Sequence, residues 1–129
     1  MAALVLAGCA ARAPSACLLP AQKPMTDIQL FFGRAMAGGG EVGETEWSQF
    51  SRDVLARNFP DGFTVMDGVG SWFNPASHSV IGEPSRVVLI AAAPAPDTAQ
   101  RILAVTEDYK RRFQQLAVGI LSAPACGAF

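Results

Sequence analysis

The chain has 129 residues, half of them apolar and 16% charged, which is enough for one small domain and too hydrophobic for a disordered chain. Ten Lys and Arg against eleven Asp and Glu give a formal charge of −1, so the basic excess of a nucleic-acid-binding domain is absent. No apolar run reaches the roughly 18–20 residues of a membrane-spanning helix, and three Cys with one His are too few for a metal cage, so neither metal nor cofactor is expected.

The chain opens MAALVLAGCAARAPSAC, in which Leu6-Ala7-Gly8-Cys9 has the form of a bacterial lipobox: an aliphatic residue, two small residues, then Cys. Small side chains allow an extended approach of the peptidase to the bond before Cys9. Lipidation of Cys9 would place the protein on the periplasmic side of the cell envelope, bound to the membrane through its N-terminal lipid. Ala10, rather than Asp, leans towards the outer membrane. Residues 1–8 read as the end of a signal peptide; they hold no Lys or Arg, so a basic segment is expected ahead of Met1. The alternative is an Ala-rich stub that exports nothing. Residues 9–24 are rich in Ala, Pro and Ser and read as a tether, and residues 25–129 as the folded domain.

Within TDIQLFFG, residues 26–33, Ile28, Leu30 and Phe32 alternate with Asp27, Gln29 and Phe31, which predicts a strand with one buried face. Gly38 to Gly43 break the chain. Trp47, Phe50, Val54 and Leu55 then recur at helical spacing, and Pro60-Asp61-Gly62 ends that helix. Phe63 to Asp67 form a second strand, extending at most to Trp72 with an irregularity at Gly68 and Gly70. Asn74 to Pro84 read as a long hairpin connection, and Ser85 to Ala92 as a third strand, apolar on both faces. Asp97 is placed to cap a second helix with Gln100 reaching back, and Ile102, Val105, Tyr109 and Phe113 line its inner face. Leu116 to Leu121 alternate as a last strand ended by Pro124.

The order βαββαβ predicts an α+β, ferredoxin-like sandwich: a four-stranded antiparallel sheet with both helices on one face. The last strand then lies beside the first, bringing Cys17 near Cys126. In an oxidising compartment the two would form a disulfide closing a loop of about 108 residues; the alternative is two free thiols. The other sheet face would carry Phe31, Met66, alternate residues of Val87–Ile90 and Leu121, too apolar to stay wet. A second subunit packed sheet to sheet, making a homodimer, or the tether folded back, would cover it.

Several segments together carry a resemblance: Leu30-Phe31-Phe32-Gly33-Arg34, Trp47-Ser48-Gln49-Phe50, the run Phe59-Pro60-Asp61-Gly62-Phe63-Thr64-Val65-Met66-Asp67-Gly68, Trp72, Glu83-Pro84-Ser85-Arg86-Val87, Tyr109-Lys110-Arg111-Arg112-Phe113 and Ala125-Cys126. Over residues 25–129 the chain resembles the bacterial domain-of-unknown-function family 3574, whose members are described as lipoproteins. The resemblance implies export and brings no activity with it.

Candidate chemistry is sparse. Gly38-Gly39-Gly40-Glu41-Val42-Gly43 satisfies G-x-G-x-x-G. Glu41, Glu44 and Glu46 around it would repel a pyrophosphate, so a floppy loop leading into an acidic first helical turn is the better account. His78, the single histidine, could serve as a base or haem ligand, but with no second His and no obvious acidic partner a solvated loop position is the better account. Gly68-Val69-Gly70-Ser71 lacks the serine-hydrolase pattern, and no neighbour of Cys126 would stabilise a thiolate. Lys110-Arg111-Arg112 suits a helix C-terminus, with Arg112 free to meet an acidic ligand. Arg34 and Asp67 are expected on one rim beside Trp72, as a bridge or as a ligand mouth. The candidate ligand-binding residues are therefore Arg34, Asp67, Trp72, His78 and Arg112. They suit a lipid-anchored domain that binds a partner or small ligand. The alternative is a dimeric α/β-barrel enzyme of the monooxygenase or haem-degrading type, with an enclosed pocket between helices and sheet.

Overall fold

The computed structural model describes residues 17–129. The predicted lipidation residue Cys9, the signal remnant and the first half of the tether, residues 9–16, lie outside the described residues. Strand β1 (Lys23–Gly33) buries Ile28, Leu30 and Phe32 completely, as its alternation requires. It is followed by helix α1 (Glu44–Phe50), a π-helical turn (Ser51–Leu55) and α2 (Ala56–Asn58), which run on as one helical rod. Strands β2 (Thr64–Asn74) and β3 (Ser79–Ala92), helix α3 (Thr98–Phe113) and strand β4 (Gly119–Gly127) complete the chain.

The strand order is β2-β3-β1-β4, every pairing antiparallel. With both helical rods on one face, this is the ferredoxin-like sandwich. Its core is a set of interlocked aromatic rings: Phe32 meets Tyr109 at 4.7 Å and Trp47 at 5.4 Å, and Phe50 meets Tyr109 at 5.0 Å, all edge to face. Leu55, Val88, Ile90 and Val105 fill the rest. The Tyr109 hydroxyl donates to the carbonyl of Gly33 at 2.9 Å, tying α3 to the end of β1.

Four local expectations need correcting. Asn74 to Pro84 is not a long loop: β2 and β3 pair without a bulge from Thr64↔Leu89 to Asn74↔Ser79, and only residues 75–78 turn. Glycine and proline marked a break there, but a paired neighbour strand overrides such local signals. Strand β4 does not stop at Pro124, which pairs with Thr26 inside it, while Leu116 lies ahead of the strand and is almost fully exposed. Pro124 is tolerated because β4 is an edge strand. Asp97 makes no capping hydrogen bond, because its carboxylate is held by Arg101 at 2.8 Å. The glycine loop is not floppy: Met36 donates to Gly40 and Val42 to Arg34, forming a small hairpin. Gly39 and Gly40 take φ of +90° and +83° there, which a side chain would resist.

Cys17 and Cys126 form a disulfide. Cys126 lies within β4, and Gln22 donates from its side chain to the Cys126 carbonyl, so the Cys17–Gln22 segment lies along the β4 end.

Candidate functional site

The five predicted site residues do not converge. Arg34 and Asp67 share a neighbourhood but do not pair. Arg34 donates from Nε to the Val42 carbonyl at 2.9 Å, and its outer nitrogen meets Glu41 at 3.1 Å and Glu44 at 3.2 Å. Asp67 instead pairs with Arg86, directly opposite it on β3, and Arg86 also reaches Glu44. Asp67 lies four residues into β2 rather than at its end, and that register gives it to Arg86. Arg86 is buried, its guanidinium 5.8 Å from the centre of the Trp47 ring. Two cations and three carboxylates thus seat the start of α1 on the sheet. Both outer nitrogens of Arg86 and one of Arg34 are taken by carboxylates, while the buried Arg86 Nε has no partner among the described residues. With three carboxylates around two cations, the cluster fastens two layers together and does not offer an anion site.

Trp72 and His78 lie at the far end of the β2–β3 hairpin. Trp72 stands opposite Ile81 on the face away from the helices. His78 occupies the turn at φ 51°, its ring 6.5 Å from that of Phe73. Arg112, on the outer side of α3, is held by Asp108. Lys110 and Arg111 are likewise paired, with Glu107 and Asp108, so the basic run makes no free patch. The space between helices and sheet, where an enclosed pocket was the expectation of the enzyme alternative, is occupied by the aromatic core, and His78 is nowhere near it.

The concavity that does form was not legible from the sequence. It has a volume of about 580 Å³ and lies on the open face of the sheet, where β1 begins and β3 ends. Met25, Leu89, Ala91, Phe63 and Phe129 give it apolar walls, and Asp27, Asp61 and Thr64 contribute polar groups. Its size falls within the range of small-molecule sites. Asp27 accepts a hydrogen bond from the Gln29 amide at 3.1 Å; among the described residues no Lys or Arg pairs with Asp27 or Asp61. The alternation of β1 and β3 could have placed Asp27, Leu89 and Ala91 on one face. Nothing local could have added the turn at Asp61.

Among the described residues two titrating groups are displaced, both outside this concavity. Burial pushes the Tyr109 hydroxyl up to about 12, against the opposing pull of Arg34. The hydrogen bond from Arg101 holds the exposed Asp97 carboxyl below its ordinary value.

A family model described as protein of unknown function (DUF3574) matches residues 27–129, and the chain belongs to that family. No curated protein matches the sequence. Among solved structures, a phage SAM lyase in complex with S-methyl-5′-thioadenosine is similar at a TM-score of 0.59 and 10% identity, covering 81% of this chain and 90% of that one. The phage SAM lyase in the apo state is similar at 0.56 and 12% identity, covering 82% and 90%. At such identities the likeness is one of fold.

Proposed function

We propose that this member of the family is an exported, lipid-anchored envelope domain that works by binding a small apolar ligand on the open face of its sheet. The observation that carries the reading is the 580 Å³ concavity. Its apolar walls and two carboxylates without cation partners suit a molecule with an apolar body and a positively charged or hydrogen-bond-donating end. The Cys17–Cys126 disulfide supports an oxidising compartment, and Leu6 to Cys9 supports acylation at Cys9. Eight residues from Cys9 to Cys17 reach at most about 29 Å. That tether would keep the ligand site close to the bilayer.

The test uses the full chain extracted from its native membrane. Mass spectrometry under native conditions should find the Cys9 acyl group together with a bound molecule. The emptied protein should take up a fluorescent alkylammonium amphiphile. Ala91→Trp, which fills the concavity from an exposed strand position, should abolish uptake while the thermal melt stays in place. Unchanged uptake in Ala91→Trp would remove the binding reading. A soluble, unacylated native protein would remove the anchor and leave the binding result standing.

A second, enzymatic reading draws on the solved neighbour, whose ligand is S-methyl-5′-thioadenosine. That nucleoside is therefore the second probe. Its binding, and loss of binding in Ala91→Trp, would favour a thioether-nucleoside site.

A further inference from the structure

The two edges of the sheet are treated differently. Arg34 donates its backbone N–H to the carbonyl of Pro84. Even-numbered residues of β3 therefore turn their backbone groups towards β1, and odd-numbered ones towards β2. Carried across the registers, this alternation aims the nitrogen of Pro124 outwards from β4, where a proline removes a donor. It also aims the Cys126 carbonyl outwards, where Gln22 takes it. The β4 edge is thus guarded by a proline and covered near its end by the disulfide-held segment.

By the same alternation, β2 turns the N–H and C=O groups of Val65, Asp67, Val69, Ser71 and Phe73 outwards, and among the described residues nothing pairs with them. No proline interrupts this strand, and from Gly68 to Gly82 there is no Lys, Arg, Asp or Glu. Strand β1 ends opposite Ser85, so the pairs from Val69↔Pro84 to Asn74↔Ser79 form a two-stranded arm standing about 20 Å beyond it. The arm is apolar on both faces: Val69 is 73% exposed, Phe73 59% and Trp72 52%. A free two-stranded ribbon is marginal alone, and a long, uncharged, unguarded edge is a template for pairing.

We infer that β2 pairs antiparallel with β2 of a second copy of this chain, about a two-fold axis through Ser71, making one continuous eight-stranded sheet. The residues suit this register. On the open face Trp72 falls across Gly70 of the partner subunit, and on the helix face Val69 falls across Phe73 of the partner subunit. Ser71 meets Ser71 of the partner subunit in a hydrogen-bonded pair, which uses the outward groups of Val69, Ser71 and Phe73. Like charges do not face each other, because Asp67 falls across Pro75 at the start of the partner subunit's turn. Pairing the two edges covers parts of Val69, Trp72 and Phe73, which are 73%, 52% and 59% exposed, so the interface stays below the ~1,000 Å² of a standard one, is carried by main-chain pairing, and forms a concentration-dependent dimer. Antiparallel self-pairing is isologous and closes at two copies.

The test is sedimentation equilibrium of the full chain carrying Cys9→Ser over a hundredfold range of concentration. The expected result is a dimer that Val69→Lys and Ser71→Pro each weaken at least roughly tenfold, with the far-UV circular dichroism of Val69→Lys unchanged. Ser71→Cys, sitting on the axis at a Cα separation of about 5.5 Å, should yield a covalent dimer on mild oxidation. Ser122→Cys on the opposite edge should not. A single-chain mass at every concentration would overturn the inference, as would a dimer indifferent to Val69→Lys. A monomer whose β2 edge instead captures an extended peptide, or is covered by its own N-terminal segment, would overturn it too.

Discussion

Tyr109 offers a clean test of the core, because it is the only tyrosine in the chain and absorbance near 295 nm reads its ionisation alone. Its ring is fully buried among Phe32, Phe50 and Phe113, and its hydroxyl donates to the Gly33 carbonyl. Burial raises its pKa from 10.0 to about 12. The folded value lies above the unfolded one, so the neutral phenol contributes its stability in full below pH 10. That contribution declines as pH rises from 10 towards 12 and is gone above it. Two units correspond to at most about 2.7 kcal/mol; the opposing pull of Arg34 and Arg86 is already contained in that shift, so the expected loss is about 2 kcal/mol. For a domain of this size that lowers Tm by roughly 4–8 °C between pH 10 and 12. Tyr109→Phe should lose about 1–2 kcal/mol at neutral pH, because the Gly33 carbonyl loses its donor, and its additional alkaline slope should vanish. Melts at pH 8, 10 and 12 on both proteins, with a spectrophotometric titration, measure all of this. A phenol that titrates near 10 in the folded protein, or a Tyr109→Phe variant with the same alkaline loss, would refute the burial argument.

Three further outcomes follow from the geometry. Cys126→Ser opens the loop closed with Cys17, and should lower stability by about 2–5 kcal/mol in a denaturant titration, matching the reduced wild-type chain. Arg86→Met should change stability by less than about 1 kcal/mol, because its partners Glu44 and Asp67 are largely exposed and stay solvated without it. Arg86→Ala should cost about 2 kcal/mol or more through the lost packing on Trp47, as thermal melts of the pair would show. The Asp97 carboxyl, held low by Arg101, contributes its stability above the ordinary carboxylate range and loses it as pH falls; in Arg101→Gln an NMR titration should find it back at its ordinary value.

What the sequence disclosed depended on how locally each feature is encoded. The alternation Ile28, Leu30, Phe32 and the helical spacing Val105, Tyr109, Phe113 are single-element patterns, and all six residues are buried. The disulfide was legible because the βαββαβ order alone makes β1 and β4 neighbours. The length of the β2–β3 hairpin was not, because Gly68, Gly70, Gly82 and Pro84 read as breaks until a partner strand is present. The ion cluster failed for a related reason. Arg34 and Arg86 are equally plausible mates for Asp67 until register decides, and register sets Arg86 opposite it. The concavity draws on β1, the turn after α2, β2, the end of β3 and Phe129, a meeting that no local window contains.

The registers also fix which functions share an end of the molecule. Lys23 pairs with Gly127, Thr26 with Ala92 and Thr64 with Leu89, so the disulfide and the concavity occupy one pole. The β2–β3 arm occupies the other, separated along β3 by about 45 Å. In a dimer closed at Ser71, the two disulfide poles would stand roughly 80 Å apart at opposite ends of the shared sheet. A tether from Cys9 to Cys17 reaches at most about 29 Å. A dimer standing on end would hold one anchor too far from the bilayer to insert. If both Cys9 residues are acylated as proposed, the continuous sheet would lie along the membrane, with a concavity at each end close to the lipid.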